Sequence, residues 1–409
     1  MLNPDRVLAE LAELRALTED DAGAQRVAWS DLWLAARRWY QTKLAALPVE
    51  VHTDAAANLW ATLPGRDAGR ALVIGSHFDS VPNGGWLDGS LGMLAGLEVL
   101  RRLATAGTPP MTVRLVDFAD EEGARFGHSV LGSSAATGAF DPAANESRTD
   151  KEGVSLRAAL ARVGIEMSDM PQAAAELANA AAYLELHIEQ GPVLEGAGLP
   201  LGAVTGTRGI RRHVLQFSGV TAHAGSTPME VRHDTLLAAA RLALAVRSSA
   251  VARGGVGTVG SVQTYPGIPT AIAGTTRLTI DQRHLDLAAL DAMLADVRSA
   301  CAQIAAEEGV QVTWEPLYSI DPVHFHPALV DFAAEAITAT GAEPRRLPSG
   351  ALHDASAVAK RGIPTVMLFV QSLKGLSHTN EEDTLAEHLV LAVRALDGLV
   401  TRTLEWVRG

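Results

Sequence analysis

Four short runs of apolar and β-branched residues constrain this chain most: 71–76 (ALVIGS), 113–118 (VRLVDF), 183–186 (YLEL) and 365–370 (TVMLFV). Each is followed closely by side chains that bind metals or protons. Runs this short, set among helical stretches, read as buried strands. Between them, 91–103 and 387–404 carry apolar residues at helical spacing, as helices that cover a sheet do. The pattern predicts an α/β catalytic domain with a mixed, mostly parallel sheet covered by helices. His77, Asp79 and Asp88 follow the first run, Asp120, Glu121 and Glu122 the second, His187 and Glu189 the third, and His378 the fourth. In open α/β sheets ligands bind beyond the carboxyl ends of strands. An isolated histidine is more often a hydrogen-bonded core or surface residue, so the shared position is what carries weight.

Between about 212 and 317 the pattern changes. Alternation at 213–218, a helical stretch at 234–247, strands at 256–265 and 275–283, a helix at 285–308 and alternation at 310–317 follow in order. That succession predicts a ferredoxin-like α+β lid inserted into the core. The expected boundaries are 1–211 and 321–409 for the catalytic domain and 212–320 for the lid. A chain of 409 residues, 47% of them hydrophobic, exceeds the size at which single cores stop growing.

A formal charge of -13 argues against a polyanionic partner such as nucleic acid. The N-terminus, MLNPDRVLAE, has no apolar run of signal or membrane-spanning length, so a soluble, cytoplasmic chain with no membrane partner is expected. Cys301 is the single cysteine, which excludes disulfides within the chain, and its alanine-rich helical setting suits a buried inert thiol.

In 75–92 (GSHFDSVPNGGWLDGSLG) a turn could let the Asp79 carboxylate hold the His77 imidazole, as carboxylates do behind metal-bound histidines. Asp88 could give one oxygen to each of two ions. The plainer reading is a Pro-Asn-Gly-Gly turn with solvated acids. The adjacent acids of 120–123 (DEEG) repel unless cations or protons intervene, though an exposed helix start would also use them. With metals present, Glu122 would ligate while Glu121 acts as general base, two carboxylates separated by environment.

Together with DEEGARFG, ELHIEQGPVLE, TAHAGSTPM and SGALHDA, that glycine-rich segment resembles the metal-dependent amidase/hydantoinase/carbamoylase family, within the wider group of two-metal aminoacylases and dipeptidases. The similarity runs in the family's order from Asn58 to the SHTNEEDT segment at His378. It implies two divalent ions per subunit, one held by His77 and His187, the other by Glu122 and His378, with Asp88 bridging. Mixed imidazole and carboxylate ligands suit several metals; zinc is the default, with manganese, cobalt and nickel as alternatives. Glu121 would take the proton of the attacking water and return it to the departing nitrogen.

The resemblance also implies that Gln190 touches substrate, while Glu189 supports the site or replaces a metal ligand. His223 would reach a substrate carbonyl oxygen, commonly in the partner subunit's site, which implies a homodimer through the lid. Arg283 would grip the substrate carboxylate through a guanidinium fork, a surface salt bridge being the alternative. Backbone amides at Gly350 and Ala351 would lie near the substrate, with His353 and Asp354 supporting that loop. Four positions depart from the family: Thr270 where asparagine is usual, Leu352 where glycine is usual, and Thr379-Asn380 where Asn-Pro is commoner.

The expected activity is hydrolysis of a linear amide or carbamoyl C–N bond in a small carboxylate-bearing molecule, most simply an N-carbamoyl-L-amino acid or a ureido acid such as allantoate. An N-acyl amino acid or dipeptide hydrolase is the alternative. A non-catalytic metal- or metabolite-binding homologue is the third reading.

Overall fold

The computed structural model describes residues 1–408, and these divide into two compact units, one of residues 1–206 with 325–408 and one of Thr207–His324. The larger unit is built on a mixed nine-stranded sheet. Four neighbouring strands at its centre, Thr365–Val370, Ala180–Ile188, Asp67–His77 and Met111–Phe118, run parallel. Met111–Phe118 and Thr365–Val370 are buried at every position; the second is accordingly an apolar run rather than an alternation, and in the first the buried Arg114 and Asp117 are answered by Glu176 and Arg37. The parallel character ends there. Leu201–Thr207 on one side, and Leu59–Leu63 with Glu50–Thr53 on the other, pair antiparallel. The sheet is therefore parallel only in its middle: Glu50–Thr53 and Leu59–Leu63 form a hairpin, whereas the other two antiparallel pairings join strands distant in the chain.

Helices Ser90–Ala106 and Ala386–Arg408 pack against this sheet. Close approach of the first depends on glycine, since a Cβ at Gly92 would stand 2.4 Å from the Leu186 carbonyl oxygen.

The smaller unit is a four-stranded antiparallel sheet in the order Val256–Tyr265, Thr275–His284, Gly209–Ser218, Gln311–Ile320. With helices Thr235–Arg253 and Leu287–Glu307 following the first and third strands in the chain, this is the ferredoxin-like arrangement. Its core joins Leu215, Phe217, Leu278 and Ile280 of the sheet to Leu242, Val246, Val297 and Cys301 of the helices. Helix Thr235–Arg253 is long and apolar enough to cross a membrane by length and composition alone, yet it spends Ala238, Leu242 and Val246 on this core. Cys301 is fully buried, and burial pushes its thiol up to about 11.

Candidate metal centre

Parallel register fixes where the chemistry collects. His77 pairs with Phe118, and Phe369 with His187, so the central strands end at one edge of the sheet. The residues that follow them converge there. Asp88 is returned to this edge by the turn after His77 and by Gly89, whose backbone is left-handed (φ 63) and packs 2.4 Å, as measured from an added Cβ, from the His77 carbonyl oxygen. Only glycine fits such a contact. Asp120, Gln190 and His378 are non-glycine residues with left-handed backbones at the same site, each costing about 1–3 kcal/mol unless surroundings enforce it.

Two groups of potential ligands share Asp88. His77, Asp88 and His187 form one; Asp88, Glu122 and His378 form the other, with the ligand atoms of each within 4.8 Å of one another. Asp88 Oδ1 lies 3.1 Å from His187 Nε2 and 3.6 Å from His77 Nε2. Its Oδ2 lies 3.6 Å from His378 Nε2, which is 3.4 Å from Glu122 Oε2. Glu121 belongs to neither group, although its Oε2 is 3.8 Å from His77 Nε2. His77 Nδ1 and His187 Nδ1 each face a carbonyl oxygen, at 3.0 Å (Asp79) and 2.9 Å (Ile188). A carbonyl only accepts, so both rings carry the proton on Nδ1 and turn Nε2 toward Asp88.

The electrostatics are those of a site that awaits cations. Burial alone would raise Asp88, but His187, His77 and His378 hold it well below the usual carboxylate range. Burial pushes Glu121 well above the ordinary glutamate value, and Asp354, Glu122, Asp79 and Asp88 push the same way. Glu122 is raised by burial, then by Asp88 and Asp79. Burial lowers His77 to about 4, whereas at His187 burial is outweighed by Asp88, which raises the ring to about 9. His77 Nε2 and Glu122 Oε1 are buried with no hydrogen-bond partner. Crowded acids beside unpartnered imidazole nitrogens fit a divalent metal with mixed nitrogen and oxygen donors.

The structure brings His77, Asp79, Asp88, Glu121, Glu122, His187, Gln190 and His378 together within the larger unit and revises three readings. Asp79 does not hold His77 through its carboxylate, which stays 3.7 Å from Nδ1; its backbone carbonyl makes that bond. Its carboxylate oxygens instead accept the backbone N–H groups of Glu121 and Glu122, both at 3.1 Å. Glu189 is not a ligand: its carboxylate takes the amides of Val193 and Leu194 at 2.7 and 2.9 Å, the first turn of a short helix. The Ala351 amide is already engaged by Ser349 Oγ at 3.0 Å, so it does not stand open for a carboxylate. Gly350 is exposed beside it; His353 is buried, with Nε2 2.9 Å from Ser349 Oγ and its ring against His187. The Gln190 amide nitrogen donates to Asp88 Oδ2 at 2.8 Å.

His223, Thr270 and Arg283 belong to the smaller unit. His223 is exposed on a two-residue strand paired with Ala271–Ile272. Its Nδ1 accepts from the amides of Gly225 and Ser226 at 3.1 and 3.2 Å, so Nε2 carries the proton and is a free-standing donor. Thr270 is exposed, and its carbonyl accepts from Ala224. Arg283 Nε donates to Asp281 Oδ1 at 2.8 Å.

Sequence reasoning overlooked Ser377 and Glu382. Ser377 Oγ stands 3.0 Å from both Asp88 Oδ2 and Glu382 Oε2, with one hydroxyl proton to give between them. Glu382 Oε1 accepts the amides of Leu87 and Asp88 at 3.1 and 3.0 Å, fixing the Asp88 backbone from almost three hundred residues away. Both flank His378 in SHTNEEDT, which was the available signal.

Comparison with known proteins agrees with this geometry. Residues 73–402 match the model of peptidase family M20/M25/M40, and the chain belongs to that family of metal-dependent hydrolases. Within it the chain falls among the hydantoinase/carbamoylase amidases, which act on C–N bonds. It is 36% identical to an N-carbamoyl-L-amino acid amidohydrolase of Geobacillus stearothermophilus, covering 97% of each chain. It is 33% identical to an allantoate amidohydrolase of Bacillus subtilis (strain 168), covering 93% of this chain and 92% of the other. A crystal structure of a hydantoinase/carbamoylase family amidase from Burkholderia multivorans superposes with a TM-score of 0.91 at 33% identity, covering 98% of both chains.

Proposed function

We propose that this amidohydrolase cleaves the carbamoyl C–N bond of an N-carbamoyl-L-amino acid or a related ureido acid such as allantoate. The observation that carries the reading is the pair of ligand groups sharing Asp88, with the unligating carboxylate of Glu121 beside them. Two divalent ions, zinc by default, would be held by His77 and His187, by Glu122 and His378, and by Asp88 between them. When bound, such ions polarise a carbonyl and lower the pKa of water toward ~7.

The chain's own residues then move the proton. Glu121, upheld by the grip of Asp79 on its amide, accepts a proton from water as its oxygen adds to the ureido carbon. The same carboxyl returns that proton to nitrogen as the C–N bond breaks, because an amine anion leaves badly. One ureido group and one water give the free amine, ammonia and carbon dioxide. His223, with its proton on Nε2, is the proposed donor to the oxyanion, and Arg283 the proposed partner of the substrate carboxylate. Gln190, Thr270 and Gly350 are the proposed remaining substrate contacts.

A homodimer through the smaller unit is part of the proposal. Leu244, Val251 and Tyr265 are 68%, 74% and 71% exposed there, and Val256–Tyr265 is an edge strand with one side unpaired. Sedimentation at micromolar protein would test this, a monomer refuting it.

The deciding assay is ammonia release from N-carbamoyl-L-amino acids and allantoate, beside amine release from N-acyl amino acids and dipeptides, with metal-free protein reloaded with zinc, manganese, cobalt or nickel. Ammonia upholds the reading. Amine without ammonia would reassign the enzyme to acyl amides.

A further inference from the structure

Helices cover only one face of the four-stranded sheet in the smaller unit. Along Gly209–Ser218, Leu215 and Phe217 enter the helical core, so the two-residue period sends Ile210 and Arg212 to the other face, with Arg208 just before the strand in the same phase. Arg212 pairs with Asp281 and Ile210 with Arg283, which puts Arg283 on that face diagonal to Arg208. Diagonal neighbours in a sheet lie about 7–8 Å apart, within reach of long side chains.

The charges there do not balance. Asp281 serves two guanidiniums: Arg212 Nε reaches its Oδ2 at 2.8 Å and Arg283 Nε its Oδ1 at 2.8 Å. Arg208 is half-buried and makes no hydrogen bond or ion pair among the described residues. Burial, and after it the charge of Arg283, pull its guanidinium below the usual arginine value. A half-buried cation without an ion pair, near enough to a second guanidinium to be lowered by its charge, is a fault in a purely structural surface, and a second anion would cure it.

We infer that Arg208 and Arg283 form a two-guanidinium site that selects substrates bearing a second carboxylate, the N-carbamoyl derivatives of acidic over neutral amino acids. This rests on the ureido-acid reading, with Arg283 on the common carboxylate and Arg208 on the side-chain one. The two carboxylates of aspartate or glutamate derivatives are separated by a few bonds, a span that two long side chains at diagonal sheet positions can bracket.

The test compares wild type, Arg208→Gln and Arg208→Lys, metal-loaded, on N-carbamoyl-L-aspartate, N-carbamoyl-L-glutamate and N-carbamoyl-L-alanine. Alongside, calorimetry measures binding of succinate and acetate to the same proteins. The expected result is a drop of about tenfold or more in the acidic-to-neutral ratio of kcat/KM for Arg208→Gln, the scale of a lost charge-assisted bond, with partial recovery in Arg208→Lys. A ratio unmoved by Arg208→Gln overturns the inference. Should wild type release ammonia from none of the three, the ureido reading fails and the succinate arm decides. Succinate binding that weakens about tenfold in Arg208→Gln then upholds the anion site, and equal binding by both proteins overturns it.

Discussion

Replacing Asp79 by asparagine separates two ways in which a buried carboxylate can serve a metal site. In the structure both its oxygens accept backbone N–H groups, from Glu121 and Glu122. Asparagine keeps one acceptor and turns an NH2 toward the other N–H, losing a charge-assisted bond and leaving a buried donor unpaired. Such a loss costs about 1–3 kcal/mol for the orphaned group. Part of this is offset in the metal-free protein, because removing the charge relieves repulsion with Asp88, and burial already raises Asp79 to about 6. The net change in thermal stability of the metal-free chain is therefore small.

The catalytic cost is larger, since a base displaced by about 1 Å loses on the order of 10²-fold in rate. Asp79→Asn should thus cut kcat of fully loaded enzyme by about that factor, with metal content, measured by plasma mass spectrometry, close to wild type. The opposite pattern would refute the reasoning. Metal affinity down by about 10–100-fold with kcat of the loaded enzyme intact would mean that Asp79 acts through His77 after all.

Glu121→Gln should bind metal as wild type does and lose about 10²-fold or more in kcat; a fully active variant would remove Glu121 from its role. The metal-free protein should gain melting temperature as pH is lowered from 8 to 6.5. Burial holds Asp120 near 8 and Glu185 and Glu382 near 7, and Asp88 holds His187 near 9, so over this range the folded chain binds more protons than the unfolded one and stability falls as pH rises. His77, depressed to about 4, opposes this only below its unfolded value near 6.5. Metal loading at pH 7 should release protons, read with an indicator dye in weak buffer, and flatten that slope; loading without proton release would contradict the electrostatics. Cys301 should resist thiol reagents until the protein unfolds, and Cys301→Ser should remain active; fast labelling of native protein would contradict its burial.

What the sequence determined is what travels along the chain. A run such as TVMLFV must be buried on both faces, and the observed strand Thr365–Val370 has the bounds the run predicts. The ferredoxin-like order of the smaller unit was legible for the same reason, since periodicity reports which face of an element meets the core. His77, Asp88, Glu122, His187 and His378 could be grouped in sequence, and they come together in the structure, because parallel strands deliver their ends to one edge.

Tertiary structure decided which atom of each residue does what. Whether Asp79 meets His77 with its carboxylate or its carbonyl depends on the turn that follows and on where the left-handed Asp120 places the next two amides. Between the two roles left open for Glu189, support or ligation, the fold decides: its carboxylate holds the first amides of Val193–Ala197 because the chain turns into that helix just after it. Glu382 anchors Asp88 across a separation that no local pattern spans. A mixed sheet was expected, but which strands flank it antiparallel was not legible, because pairing partners are chosen in space, whereas a buried strand looks alike in sequence whichever way its neighbour runs.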